Sequence, residues 1–251
     1  MRTAHAFFIA HRARKWGDCM PGYVMHLAEV DMVLGIIREK QELSEQWVHR
    51  FVTGNLLPDT RLLKEKYISH FWDPGKAGQI AQAPDLALFG AKYQPDMSDP
   101  VLLGYLMHLD MDEKYVHNFW PRCVAFYNSE GMPEIKADRV AEVEILKSGQ
   151  RVPLKEFFSP ALYYGDYGRM NGFFVRKYCI RKPEWKEITD FHMDEVKLAD
   201  MEKICEGLDW LFAHCSPDDN PELKVFDLQQ FDDFIRKTAE EFAQQYICKM
   251  I

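Results

Sequence analysis

Between Ser98 and His117 the chain reads Ser-Asp-Pro-Val-Leu-Leu-Gly-Tyr-Leu-Met-His-Leu-Asp-Met-Asp-Glu-Lys-Tyr-Val-His. A capping serine with proline in the first turn opens a helix. Leu102, Leu103 and Leu106 give that helix apolar contacts, and His108 and Asp112 stand four residues apart on it. Residues at that spacing point to the same side. An imidazole and a carboxylate are therefore aimed at one place, as an internal pair or as half of a metal site. A fold that houses them must bring further polar groups to the same point. Asp110 points aside, as a support to an imidazole or as a solvated acid, and His117 lies just beyond.

The rest of the chain also reads as helical. Residues 23–40 carry a broad apolar face, with Met25, Leu27, Val30, Val33, Leu34 and Ile37. Ser44 is a candidate N-cap for a helix over 45–53, with Gly54 as its stop and 55–59 as a turn. A short helix is expected over 84–92 and further helices near 160–178, 193–214 and 227–249. Residues 122–129 read as a helical continuation past Pro121. Residues 140–154 alternate and turn at Gly149, which suits a small hairpin. The expected fold class is all-α: a multi-helix single domain spanning 20–251, with an irregular or hairpin insert near 130–155 and residues 1–19 as an N-terminal extension or arm. With 251 residues and 47% hydrophobic content, the chain can bury one sizeable core.

The net charge of -8 disfavours general nucleic-acid binding, which needs basic surface against phosphates. The six cysteines are scattered without a C-x-x-C pair and read as reduced, mostly buried thiols. The apolar stretch Ala6 to Ala10 is shorter than the ~7–15 residues of an export signal. No apolar run reaches the ~18 residues of a transmembrane segment. A cytoplasmic location is the expectation.

His26, Asp59, His70, His108 and Asp112 together offer three imidazoles and two carboxylates, a donor mixture that suits zinc and similar divalent ions. No cysteine lies near them in sequence, which points away from a closed, thiolate-rich structural site. The segments Met20-Pro-Gly-Tyr-Val-Met-His26, Gly54-Asn-Leu-Leu-Pro-Asp59, His70 and Gly104-Tyr-Leu-Met-His108-x-x-x-Asp112 are similar, in their order, to the zinc-dependent phospholipase C family. The resemblance covers about residues 20–120. It implies an all-helical fold and a zinc cluster that hydrolyses phosphate esters. It implies that Asp59, His70, His108 and Asp112 ligate one zinc, and that Asp112 bridges to a second ion held by His26. His117 falls near a family ligand of a third ion, one residue later than the family spacing. The family's His-x-x-x-Glu pair for that ion has no counterpart, since no histidine lies between His117 and His192. The expected cofactor is zinc or another divalent metal, one or two ions.

The expected function is metal-dependent hydrolysis of a small phosphate ester, phosphodiesterase or phospholipase C-like, with Asp59 both holding metal and taking the proton of the attacking water. The alternative is a non-catalytic metal-binding or structural protein on the same scaffold. An HD-type phosphohydrolase is disfavoured because the chain has no His-Asp dipeptide. Arg61 and Lys64 are candidates to neutralise substrate phosphate, with surface solvation as their plainer role. Tyr163 to Asn171 reads as a pocket lip or as a polar connection between helices. His5, His11, His49, His192 and His214 read as ordinary surface or hydrogen-bonded histidines.

Overall fold

The computed structural model describes residues 22–61, 65–94, 98–186, 188–215 and 220–247. Its first long helix, α1 (Tyr23–Arg38), is followed by α2 (Glu45–Leu56). The Ser44 hydroxyl caps α2 by accepting from the Trp47 amide. Gly54 does not stop α2. The helix runs on to Leu56, and a 3₁₀ turn, Leu57–Thr60, carries Asp59. The glycine serves a different purpose. A Cβ on Gly54 would lie 2.0 Å from the carbonyl oxygen of Val101, and one on Gly104 would lie 2.0 Å from that of Phe51. These two positions let α2 press directly on α5 (Pro100–Lys114), backbone against backbone.

Between those helices lie the short α3 (Lys66–Ser69) and α4 (Leu86–Tyr93). Phe71, just after α3, takes a left-handed backbone (φ 51°), a conformation disfavoured for a bulky residue. Its ring packs edge-on to Phe89, Tyr93 and Tyr105, which hold the turn in place. The Tyr105 hydroxyl also donates to the Ser69 carbonyl at 2.5 Å. The cap of α5 is Asp99, not Ser98: its carboxylate accepts from the amides of Val101 and Leu102, and Pro100 occupies the first turn. Pro100 lacks the amide that would otherwise need a partner there.

A π-helical turn, Tyr115–Phe119, leads into α6 (Trp120–Cys123). The chain then turns extended, where the sequence suggested a continuing helix. Strands β1 (Val124–Tyr127), β2 (Glu142–Ile145) and β3 (Gln150–Pro153) form an antiparallel sheet in the order β1-β2-β3. Val124 pairs with Ile145, and Val143 with Val152. Gly149, with φ 68°, closes the β2–β3 turn. Val124 and Phe126 are β-branched and aromatic, side chains that suit a half-buried sheet better than a helix.

Next come α7 (Leu154–Phe157), α8 (Tyr163–Lys177), α9 (Met201–His214) and α10 (Leu228–Phe242). Tyr163 to Asn171 is therefore helix rather than connection. The structure is mostly helical with one small antiparallel sheet. One connected apolar core runs from Val24 to Ile247 and joins the helices to the inner sides of the sheet. The proposed arm, residues 1–19, lies outside the described residues. Among the described residues no helix is long and apolar enough to cross a membrane. Cys123, Cys179, Cys205 and Cys215 are free, and Cys179 is exposed.

Candidate metal centre

The α2–α5 contact sets up the centre. Because the glycines let the two backbones touch, the carbonyl of Asn55 on α2 reaches His108 on α5, 2.8 Å from Nδ1. A carbonyl only accepts, so Nδ1 carries the proton and Nε2 keeps its lone pair. The same holds for His70, whose Nδ1 lies 3.2 Å from the Lys66 carbonyl and 3.1 Å from the Ser69 hydroxyl. The Ser69 hydroxyl lies 3.3 Å from that same carbonyl, to which it can donate. His70 and His108 thus point two bare Nε2 atoms at each other, 3.3 Å apart. Two lone pairs facing each other in a buried place repel, and a cation between them removes the conflict.

Asp112 faces the same point. Its Oδ2 lies 3.4 Å from His108 Nε2 and 3.5 Å from His70 Nε2, and its Oδ1 lies 3.4 Å from His26 Nε2. The carboxylate is fully buried and neither oxygen has a hydrogen-bond donor. Both ring nitrogens of His26 likewise lack a hydrogen-bond partner, and its ring stacks on His108 with centroids 3.9 Å apart. Asp59 completes the group, with Oδ1 3.7 Å from His70 Nε2 and 3.3 Å from Lys66 Nζ. These spacings match an ion's requirements: nitrogen or oxygen ligands about 2.1 Å from a tetrahedral zinc stand about 3.4 Å from one another.

The five side chains form two overlapping sets, His26–His108–Asp112 and Asp59–His70–His108. His108 has one lone pair on Nε2 and can serve only one ion. Two ions would require Asp112 to bridge, its Oδ1 beside His26 and its Oδ2 beside His70 and His108. The residues therefore fit a divalent ion by donor type, by spacing and by their unpaired lone pairs.

Electrostatics follow from the burial. Burial, then the Lys66 ammonium, pushes the His70 imidazole down to about 3, and burial lowers His26 as well. Both are neutral at pH 7, the form that ligates. Burial would raise Asp59 and Asp112. For Asp59 the Lys66 ammonium and the three imidazoles outweigh it, and for Asp112 His108 and His26 do so. Both carboxylates are held well below the usual range and are ionised.

His117 is not brought to the centre. It lies five positions after Asp112, in the π-helical turn, which swings it away from the ligand side. It is 53% exposed and sits 3.8 Å from Glu113. Asp110 is not a solvated acid. It is buried on the far side of α5 and binds Lys114 at 2.7 Å. Arg61 does not face the centre either: its guanidinium donates to the carbonyls of Asp194 and Glu195, tying the Asp59 turn to the segment before α9. Lys64 lies outside the described residues, as do His5 and His11. His49 accepts from the Lys186 amide, His192 is exposed beside Asp194, and His214 bonds the Trp210 carbonyl. Lys66 escaped the sequence reading. Its signal was its place four residues before His70, which puts it on the same side of α3. A cavity of about 310 Å³ beside β1, lined by Phe126, Tyr127, Pro133 and Ile135, contains none of the candidate ligands.

No protein-family model, curated protein or solved structure matches the chain.

Proposed function

We propose that the protein is a divalent-metal-dependent hydrolase of phosphate esters, with zinc as the ion its nitrogen and oxygen donors suit best. The observation that carries this reading is the pair of bare, buried Nε2 atoms of His70 and His108 over the donorless carboxylate of Asp112. A bound divalent ion would supply Lewis acidity toward a phosphoryl oxygen and acidify a water molecule near pH 7. His70, His108 and Asp112 would hold the ion, and carbonyl contacts lock two of the three side chains in place. Asp59 is the one ligand at the open edge, 15% exposed where the others are at most 2%. Ionised and the most exposed of the candidate ligands, it would orient an attacking water and accept its proton.

The depth of the other four ligands favours a second reading, a protein that holds metal without turnover. Elemental analysis followed by assay on bis-nitrophenyl phosphate separates the two. Metal with turnover supports the hydrolase, and metal without turnover on any ester supports the binding protein. His108→Ala and Asp112→Ala should each remove most of the metal. Retention of full metal content by both variants overturns the assignment.

A further inference from the structure

The three imidazoles around Asp112 are not equivalent toward an ion. His26 and His108 lie parallel, their planes 5° apart and their centroids 3.9 Å apart. An imidazole offers its lone pair in the plane of the ring, to an ion about 2.1 Å away. Rings at that separation lie face over face, so an ion in the plane of His108 stands well outside the plane of His26. As co-ligands the two rings satisfy distance and fail direction. His70 satisfies both. Its ring crosses that of His108 at 73°, and the two Nε2 atoms are 3.3 Å apart. Oδ2 of Asp112 stands 3.4 Å from the Nε2 of His108 and 3.5 Å from that of His70. These three atoms form a nearly equilateral triangle, with the edges of one face of a tetrahedral zinc, about 3.4 Å. Asp59 Oδ1, 3.7 Å from His70 Nε2, is the further acidic donor grouped with the two rings. His26 instead approaches the other oxygen of Asp112, Oδ1.

A neutral imidazole has one proton to place. In His70 and His108, backbone carbonyls draw it to Nδ1. Among the described residues nothing accepts from Nδ1 of His26. A bare Nε2 there would set its lone pair against the Asp112 carboxylate, so the proton belongs on Nε2, facing Oδ1. At 3.4 Å the approach is longer than a formed hydrogen bond. Once His108 serves an ion with His70, a second ion beside His26 would have only that ring and Oδ1 of Asp112, two of the four ligands zinc takes. Resting on the metal-dependent reading, we propose that the centre takes a single divalent ion, on Asp59, His70, His108 and Oδ2 of Asp112. His26 is a positioning residue whose Nε2–H engages Oδ1 and leaves Oδ2 for the ion.

Zinc content after loading with excess zinc and desalting is the first measurement. The wild type should hold one equivalent, and two equivalents overturn the proposal. His26→Phe keeps a ring against His108 and removes the Nε2 proton. It should still hold one equivalent, with zinc affinity lowered roughly 10- to 100-fold, the usual loss when a partner of a ligating group is removed. His26→Gln, whose side-chain amide can donate to the same oxygen, should recover most of that affinity. Unchanged affinity in His26→Phe, or loss of the whole equivalent from the folded variant, overturns the positioning role. A further measurement needs no variant. In the zinc-loaded wild type, the Nε2 resonances of His70 and His108 should move to the range of metal-bound nitrogen while His26 keeps a protonated Nε2. A metal-shifted His26 nitrogen overturns the proposal as well. Absence of zinc from the wild type would instead overturn the metal-dependent reading itself.

Discussion

Asp112 and Asp166 are both fully buried aspartates, and they live in opposite surroundings. The Asp166 carboxylate on α8 accepts from the amides of Lys224, Val225 and Phe226, and Arg169 lies against it at 2.5 Å. Every lone pair it can offer has a donor, and the bonds tie the segment before α10 to α8. The Asp112 carboxylate has no donor at all, only the Nε2 atoms of His26, His70 and His108 at 3.4–3.5 Å. A buried charge is tolerable only when paired or hydrogen-bonded. Asp166 meets that condition from within the chain. Asp112 could meet it with a cation from outside. One carboxylate is an anchor, the other part of a candidate metal site.

The comparison breaks most visibly on adding zinc. At a free concentration 1,000 times its dissociation constant, zinc should stabilise the wild type by about 4 kcal/mol. Asp112→Ala should lose nearly all of that gain. Chemical denaturation with and without zinc reads both numbers. Equal zinc stabilisation in the two proteins would dissolve the distinction.

Asp166→Ala should act the other way. It strands two buried amides and one half-buried amide and should cost about 3 kcal/mol in the same denaturation experiment. Its zinc stoichiometry should equal that of the wild type, because the lost bonds concern α8 and the segment before α10.

Acid should sharpen the contrast further. His26 and His70 are depressed by burial in the fold, whereas an unfolded chain protonates histidine near 6.5. Between pH 7 and 5 the unfolded state takes up protons that the folded centre refuses, so ion-free stability falls as pH falls. His70 alone, at about 3 in the fold, contributes about 2 kcal/mol of that loss. Replacing His70 with glutamine should flatten the slope of stability against pH over this window, and an unaltered slope would place the titration elsewhere.

The smallest effect belongs to His117. With its ring half in solvent beside Glu113, His117→Ala should change stability by less than about 0.5 kcal/mol. Metal content should stay the same by elemental analysis. A loss of one equivalent of metal would bring the residue back into the centre.

Much of the helical architecture could be read from periodicity and caps: α1, α4 and α5 fall close to the stretches their patterns mark, and the β2–β3 hairpin turns at Gly149 as its alternation suggests. Three of the misreadings share one cause. Gly54 reads locally as a helix stop, but its lack of a side chain answers to Val101 on another helix. Residues 124–127 read as helix after Pro121, but their partner strand lies some twenty residues on. Asp166 reads as part of a polar connection, but its amide donors are about sixty residues away. A local pattern carries no trace of a partner that distant.

The sequence by itself determined that His108 and Asp112 share a helix face, because 3.6 residues per turn leaves no other arrangement at a spacing of four. It also showed which imidazoles and carboxylates were on offer. Only the tertiary structure decided that His26, Asp59 and His70 meet that face, that carbonyls of Asn55 and Lys66 turn two imidazoles to present bare nitrogens, and that Lys66 pairs with Asp59 beside them. The physical reason is the glycine-to-backbone contact of α2 with α5, a fit between surfaces about fifty residues apart in the chain.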